Sequence, residues 1–176
     1  GVGIGWMKEE FDIYGVDFHQ RGKITDEIIE VLQSLWSGQM VEYHGAHFDF
    51  PRVQLSPAPS THPPIYVGGS SEIALRRAAR VGGGYIGAGT APDDVGPLLH
   101  RLNELRQEYG RDHLPFEAMI GITASPNLTL YQRLADEGLE STVAPPFQYA
   151  LGKKHSTVDE KKQFMETYAE SIMRHF

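Results

Sequence analysis

Residues 63–85 read PPIYVGGSSEIALRRAARVGGGY, and this stretch decides the fold class. A short apolar run at 65–67 meets a Gly-Gly-Ser-Ser turn, and a helical pattern follows with Ala74, Leu75, Ala78 and Ala79 on one side. Glycines at 82–84 end that helix, and a second apolar run begins immediately afterwards. A strand, a helix and another strand in this order predict a parallel pair with the helix as its crossover connection.

The same alternation continues on both sides of this stretch. Strands are predicted at 1–5, 65–67, 85–88, 116–123 and 139–144, and helices are predicted to begin at Thr25, at Ser70 or Ser71, at Pro92, at Asn127 and at Thr157. Aromatic residues alternate around a glycine at 40–55, which predicts an inserted β-hairpin. Five strand–helix units are compatible with an open doubly wound sheet or with part of a (β/α)8 barrel, which needs ~250 residues.

Composition excludes several classes of function. The chain has 176 residues, a formal net charge of −7 and no cysteine, so thiol catalysis and zinc–thiolate sites are excluded. An acidic balance disfavours nucleic acid and anionic membranes as partners, since both attract basic surfaces. No apolar run approaches the ~20 residues of a membrane span. We expect one cytoplasmic domain over residues 1–176.

The turn at Gly68, Gly69, Ser70 and Ser71 is the first candidate binding site. It would lie at the carboxyl end of a parallel strand, where both candidate architectures place their ligands. Glycines leave backbone N–H groups uncovered, and a serine hydroxyl can cap the helix or hold a phosphate oxygen. An ordinary capped turn without a ligand is the alternative. Arg76, Arg77 and Arg80 are predicted to form a solvated helix face, and Glu72 is expected to point outward.

Two further patterns have weaker functional interpretations. The opening GVGIGW resembles a dinucleotide fingerprint, but Trp6 occupies the place where close helix–strand packing requires glycine. A strand end that approaches a flat ligand or another backbone explains these glycines better. In the hairpin, alternation would put Glu42 and His44 on one face, which could hold a metal ion. Surface hairpin residues explain this pair better, and we predict no metal site.

Taken together, these stretches resemble the luciferase-like monooxygenase superfamily, and particularly its coenzyme F420-dependent oxidoreductase branch. The matching segments are GVGIGWMKEEF (1–11), GVDFHQRG (15–22), TDEIIEVLQSLWSG (25–38), YHGAHFDF (43–50) and HPPIYVGGSSEIALRRAARVGGGY (62–85). Relatives often have Gly-Asp-Gly-Trp where this chain has Gly82-Gly83-Gly84-Tyr85.

The resemblance implies an α/β fold of the (β/α)8 TIM-barrel type. The chain would supply only about the C-terminal five βα units of a partial barrel, with an inserted hairpin. Residues 1–5 would be the fourth strand, and the first three strands would be lacking. We therefore expect a fragment of a larger barrel, or a chain cut at its N-terminus.

The resemblance also implies a cofactor, coenzyme F420 in preference to FMN. It assigns contacts with the cofactor to two groups of residues: Gly3, Ile4, Gly5 and Glu9, and Gly68, Gly69, Ser70 and Ser71. Trp6 and Tyr85 are expected at the substrate pocket, and no catalytic residue is assigned.

The implied activity is hydride transfer with F420, or O2-dependent monooxygenation with FMN, on a small organic molecule. The alternative is a truncated, non-catalytic fragment that binds cofactor or associates with itself. A third hypothesis is an open-sheet domain that binds a phosphorylated metabolite. We expect a small-molecule substrate, a homo-oligomer, and neither nucleic acid nor membrane as a partner.

Overall fold

The computed structural model describes all residues 1–176, which divide into two compact units at 1–65 and 66–176. The first unit contains the hairpin, and the second contains the parallel sheet with its helices. The expectation of one domain stays a prediction. No helix is both long enough and apolar enough to cross a bilayer.

The first unit is helical and ends in the hairpin. Its elements are α1 (Lys8–Tyr14), a 3-10 turn (Phe18–Gln20), α2 (Arg21–Trp36), β1 (Val41–His44) and β2 (Asp49–Val53). The two strands are antiparallel, with Tyr43 opposite Phe50 and His44 opposite Asp49. The hairpin predicted from aromatic alternation is therefore confirmed.

The strand predicted at residues 1–5 is wrong, because only Val2 forms an isolated β-bridge there. Glycines at positions 1, 3 and 5 supply no side chain to pack and weaken a strand. Gly5 has a φ of +78°, which interrupts the extended backbone. Its carbonyl oxygen accepts a hydrogen bond from Arg21 Nε at 3.3 Å. The described chain consequently contains four parallel strands and not five.

Helix α2 begins four residues before the predicted cap. Thr25 lies inside the helix, and its Oγ1 donates to the carbonyl oxygen of Arg21 at 2.8 Å instead of capping a first turn. Thr25 and Ile29 are the buried residues of this helix. Their spacing of four places both on the same face of the helix.

The second unit is an α/β layer built on the repeated strand–helix order. Its elements are β3 (Tyr66–Gly68), α3 (Glu72–Val81), β4 (Gly84–Thr90), α4 (Pro92–Glu108), β5 (Glu117–Ile122), α5 (Leu128–Asp136), β6 (Ser141–Val143), α6 (Phe147–Ala150), α7 (Val158–Ser171) and a 3-10 turn (Met173–His175). The strands are all parallel in the order β3-β4-β5-β6, and the sheet does not close into a barrel.

The core of this unit lies between the sheet and helices α3 and α4. Val67, Tyr85 and Ile120, one from each of the strands β3, β4 and β5, are almost completely buried. Helix α3 contacts β3 and β4, and α4 contacts β5. Burial of one sheet face by crossover helices is the arrangement expected of βα units.

One prediction for helix α3 is wrong. Arg77 was expected on the solvated face with Arg76 and Arg80, but only 4% of its surface is exposed. Arg77 follows the buried Ala74 by three positions, so the two residues lie on the same side of the helix. The methylene groups of an arginine can cover apolar surface while the guanidinium makes polar contacts.

Candidate functional site

The turn after β3 is exposed and conformationally constrained. Gly69 has a φ of +128°, and a Cβ built on it would lie 2.8 Å from the Cβ of Ala74. Ser71 is the N-cap of α3, and its Oγ accepts a hydrogen bond from Ala74 N at 3.3 Å. The N–H groups of the first helical residues, Glu72 and Ile73, precede the first intrahelical hydrogen bond and are available to an anion.

Tyr85 stabilises this turn by a hydrogen bond from the core of the second unit. Its side chain is 2% exposed in the core, and its phenol donates a hydrogen bond to the carbonyl oxygen of Gly69 at 2.9 Å. Burial raises the pKa of Tyr85, so the phenol stays protonated and can donate. Its role as a substrate contact stays a prediction.

The carboxylate of Glu72 does not oppose an anion at the turn. It accepts a hydrogen bond from Arg101 Nη2 at 2.6 Å and forms an ion pair with Arg76 Nε at 2.9 Å. The hydrogen bond from Arg101, together with the attraction of both guanidinium groups, lowers the pKa of Glu72. The side chain of Glu72 is exposed, as expected, and its charge is paired with Arg76 and with Arg101 on α4.

Further polar groups lie at the same edge of the sheet. Thr90 ends β4, and Thr123 directly follows β5. The backbone N–H of Thr123 donates to the carbonyl oxygen of Thr90 at 2.9 Å, and its Oγ1 donates to the same oxygen at 3.2 Å. Neither threonine is among the predicted site residues, although a polar side chain at the carboxyl end of an apolar strand is a recognisable signal.

The opposite edge of the sheet holds a different polar pair. Tyr66 begins β3 and Glu117 begins β5, and the Tyr66 phenol donates to Glu117 Oε2. Gly84 lies between them, where a Cβ would approach Tyr66 Cδ1 to 2.5 Å. The hydrogen bond to Glu117 raises the pKa of Tyr66. Because barrel-type folds bind ligands at the carboxyl edge, we interpret this pair as structural.

The other predicted cofactor residues belong to the first compact unit. Gly3 and Gly5 are exposed, Ile4 is half-buried, and Glu9 is exposed in the first turn of α1. A Cβ on Gly5 would lie 2.8 Å from the ring of Phe11, so this position tolerates only glycine without movement.

Within the second unit, the structure brings five of the predicted site residues together. Gly68–Ser71 forms one continuous turn, and Tyr85 is bonded to it. The side chain of Trp6 is 80% exposed and makes no pocket wall within its own unit.

The hairpin histidines have structural partners. His44 Nδ1 lies 2.5 Å from Asp49 Oδ1 across the two strands. The Glu27 carboxylate accepts backbone N–H bonds from His47 at 3.0 Å and from Phe48 at 2.8 Å. No group of three or more His, Asp or Glu side chains has an arrangement that could hold a metal ion.

Comparison with known proteins identifies the family. The model of the family described as luciferase-like monooxygenase matches residues 1–170. The Mycobacterium tuberculosis H37Rv protein Rv0940c is 34% identical over 174 residues, covering 98% of this chain and 60% of the relative. An F420-dependent glucose-6-phosphate dehydrogenase of Microbacterium testaceum is 27% identical, covering 78% of this chain and 50% of that enzyme.

A relative that uses FMNH2 is also similar. The FMNH2-dependent dimethylsulfone monooxygenase of Pseudomonas fluorescens is 28% identical over 123 residues, covering 68% of this chain and 32% of the relative. Similarity thus extends to enzymes named for F420 and to an enzyme named for FMNH2. The chain spans about 60% of the length of the relatives that match it over almost its whole length.

Solved structures agree on the fold. The coenzyme F420-dependent tetrahydromethanopterin reductase of Methanopyrus kandleri aligns with a TM-score of 0.70 at 14% identity, covering 99% of this chain and 73% of that one. An F420-dependent secondary alcohol dehydrogenase aligns with a TM-score of 0.61 at 20% identity, covering 97% of this chain and 60% of that one. The expected fold class, a partial barrel of the luciferase-like type, is confirmed, and the chain belongs to the luciferase-like monooxygenase family.

Proposed function

We propose that this chain forms the cofactor-binding part of an oxidoreductase that uses coenzyme F420 or FMN, with F420 favoured. Membership of the family supports a redox function. The observation that carries the proposal is the exposed turn at Gly68–Ser71, where Gly69 leaves the backbone uncovered and Ser71 caps α3. Such a turn fits the phosphate group of a flavin-type cofactor.

The residues of the turn would hold the cofactor without providing the chemistry. Backbone N–H groups at 70–73 would donate to phosphate oxygens, and the positive end of the α3 dipole would stabilise the charge. Gly3, Ile4, Gly5 and Glu9 are proposed to contact the ring system. When bound, F420 supplies hydride transfer, whereas reduced FMN supplies O2-dependent oxygenation. The substrate is proposed to be a small organic molecule.

Cofactor titration tests this proposal. We expect the fluorescence of F420, and to a lesser extent that of FMN, to change saturably with a Kd below about 100 μM. Gly69→Ala should weaken that binding because its Cβ would crowd Ala74 and its φ is strained. Gly138→Ala is the matched control, since Gly138 has a φ of +99° but no atom within 4 Å of a built Cβ. Absence of saturable binding by both cofactors would overturn the proposal.

A second candidate function is self-association without catalysis. Strand β6 pairs with β5 on one side and forms the end of the sheet on the other. An unpaired edge exposes N–H and C=O groups that can pair with a strand of another molecule. Size-exclusion chromatography with light scattering tests this alternative: a homo-oligomer that binds neither cofactor supports it, and a monomer contradicts it.

A further inference from the structure

The segment after β6 forms a polar cleft. Its lining comes from the 146–161 region, and we call it the α6–α7 cleft. It encloses ≈ 330 Å³ and is lined by Pro146, Phe147, Gln148, Lys154, His155, Ser156 and Lys161.

 A separate, mainly apolar cleft of ≈ 380 Å³ lies beside β6, and Tyr131, Leu139 and Tyr168 help to line it.

The lining of the α6–α7 cleft is basic, although the whole chain carries a net charge of −7. Two ammonium groups, an imidazole, a hydroxyl and a side-chain amide lie around it, and no carboxylate is among its lining residues. All five groups can donate hydrogen bonds, the imidazole through whichever nitrogen carries a proton. This set of donors suits an oxyanion, because charge-assisted bonds to phosphate or carboxylate are the stronger ones.

The acidic side chain of Glu160, adjacent in sequence to the lining residue Lys161, is already engaged. Glu160 bonds to Lys153 Nζ, and it also accepts the backbone N–H of Thr157 at 2.9 Å in a capping box. The hydrogen bond from Lys153 lowers the pKa of Glu160. Glu160 therefore pairs with the ammonium group of Lys153 and with the N-terminal backbone of α7. The positive charges of Lys154 and Lys161 belong to the lining of the cleft.

One lining cation, the ammonium group of Lys161, lies close to an aromatic ring. Lys161 Nζ lies 5.7 Å from the ring centroid of Phe147, within cation–π range. Phe147 also packs edge-on against Phe164 with ring centroids 5.9 Å apart, which holds its ring in place. The lining of the cleft thus places a positive charge beside an aromatic surface.

The cleft lies on a segment that leaves β6 at its carboxyl end. The Gly68–Ser71 turn leaves β3 at the carboxyl end of the same parallel sheet. Loops that follow parallel strands meet at one edge of the sheet, where barrel-type folds bind their ligands.

We propose that the α6–α7 cleft binds an oxyanion, a phosphate or carboxylate group, on a ligand that also offers apolar surface to Phe147 and Pro146. The role of the cleft, which is to hold the anionic part of the substrate or of the cofactor, rests on the proposed function. Binding of the anion itself depends on Lys154 and Lys161.

Anion titration of the full chain tests this inference without any cofactor. Inorganic phosphate and citrate are added separately at constant ionic strength, and backbone amide shifts are followed by NMR. We expect saturable shifts at residues 148, 154–156 and 161. Lys154→Gln and Lys161→Gln should each weaken the binding about tenfold, the loss expected of one charge-assisted contact. Lys162→Gln is the matched control, because Lys162 is an exposed α7 lysine outside the lining.

The two anions separate the possible sources of the oxyanion. Saturation by phosphate alone indicates a phosphorylated ligand, saturation by citrate alone indicates a carboxylate ligand, and saturation by both supports the shared chemistry. Shifts that do not saturate, or that weaken equally in all three lysine variants, would overturn the inference. Cofactor titration of the same samples is independent: cofactor binding without anion binding refutes this inference alone, and the reverse refutes the proposed function alone.

Discussion

The phenol of Tyr85 donates a hydrogen bond to the carbonyl oxygen of Gly69 at 2.9 Å, joining the buried core of β4 to the exposed turn after β3. The bond fixes the peptide group between Gly69 and Ser70, whose N–H is the first of the proposed phosphate contacts. Gly69 has a positive φ, which only glycine adopts readily, so its conformation depends on such external support. The turn is thereby held in place before any ligand arrives.

Tyr85→Phe should weaken cofactor binding while leaving the fold intact. Loss of the phenol removes one neutral hydrogen bond, so we expect the Kd for F420 or FMN to rise about threefold to tenfold. Fluorescence titration measures the change. Tyr131→Phe is the control, since Tyr131 is also buried but lies on α5, away from the turn. Equal changes in both variants would show that Tyr85 does not position the turn.

Gly69→Ala should destabilise the second unit as well as weaken its ligand. A positive φ and a Cβ–Cβ distance of 2.8 Å to Ala74 together should lower the free energy of unfolding by about 1–3 kcal/mol. Urea unfolding measures the loss. Gly138→Ala introduces the same backbone strain at a positive φ but no steric contact, so its loss of unfolding free energy should be smaller. A Gly69→Ala protein as stable as the native chain would contradict the geometry of the turn.

Acid should release the hairpin from α2. Burial raises the pKa of Glu27, but hydrogen bonds from the N–H groups of His47 and Phe48 outweigh it and lower the pKa below the usual 4.5. A depressed folded-state pKa means that this contribution to stability is present above pH 4.5 and is lost as the pH falls through the folded-state value. The hydrogen-exchange protection factors of the His47 and Phe48 amides, which correct for the intrinsic pH dependence of exchange, should therefore fall in acid.

Glu27→Gln should remove this pH dependence, because the amide side chain does not titrate in that range. Glu42→Gln is the control, since Glu42 is an exposed carboxylate in the same hairpin that makes none of these bonds. If the two variants retained equal acid sensitivity at these amides, Glu27 would not be the group responsible.

Thr157→Ala should destabilise α7 by about 1 kcal/mol, the usual contribution of an N-cap. Thr157 Oγ1 accepts the N–H of Glu160 at 3.2 Å, and Glu160 returns a bond to the N–H of Thr157. Urea unfolding followed by circular dichroism measures the change, and Thr157→Ser, which keeps the hydroxyl, is the control. Equal losses in both variants would argue against the capping box.

Local sequence signals determined most elements of the second unit. Ser71, Asn127 and Thr157 cap the helices that were predicted to begin there, because a side-chain oxygen accepts a backbone N–H only three residues away. The glycines at 82–84 end α3 for an equally local reason. The Gly-Gly-Ser-Ser turn was likewise readable, since its conformation depends on consecutive residues.

Tertiary structure decided what depends on distant neighbours. Arg77 is buried on a helix whose sequence pattern predicts an exposed position for it. The bond from Tyr85 to Gly69 joins residues 16 positions apart, and Glu27 reaches His47 across 20. Sequence periodicity reports only which face of an element a residue occupies, whereas a long-range hydrogen bond depends on how those elements are placed in space.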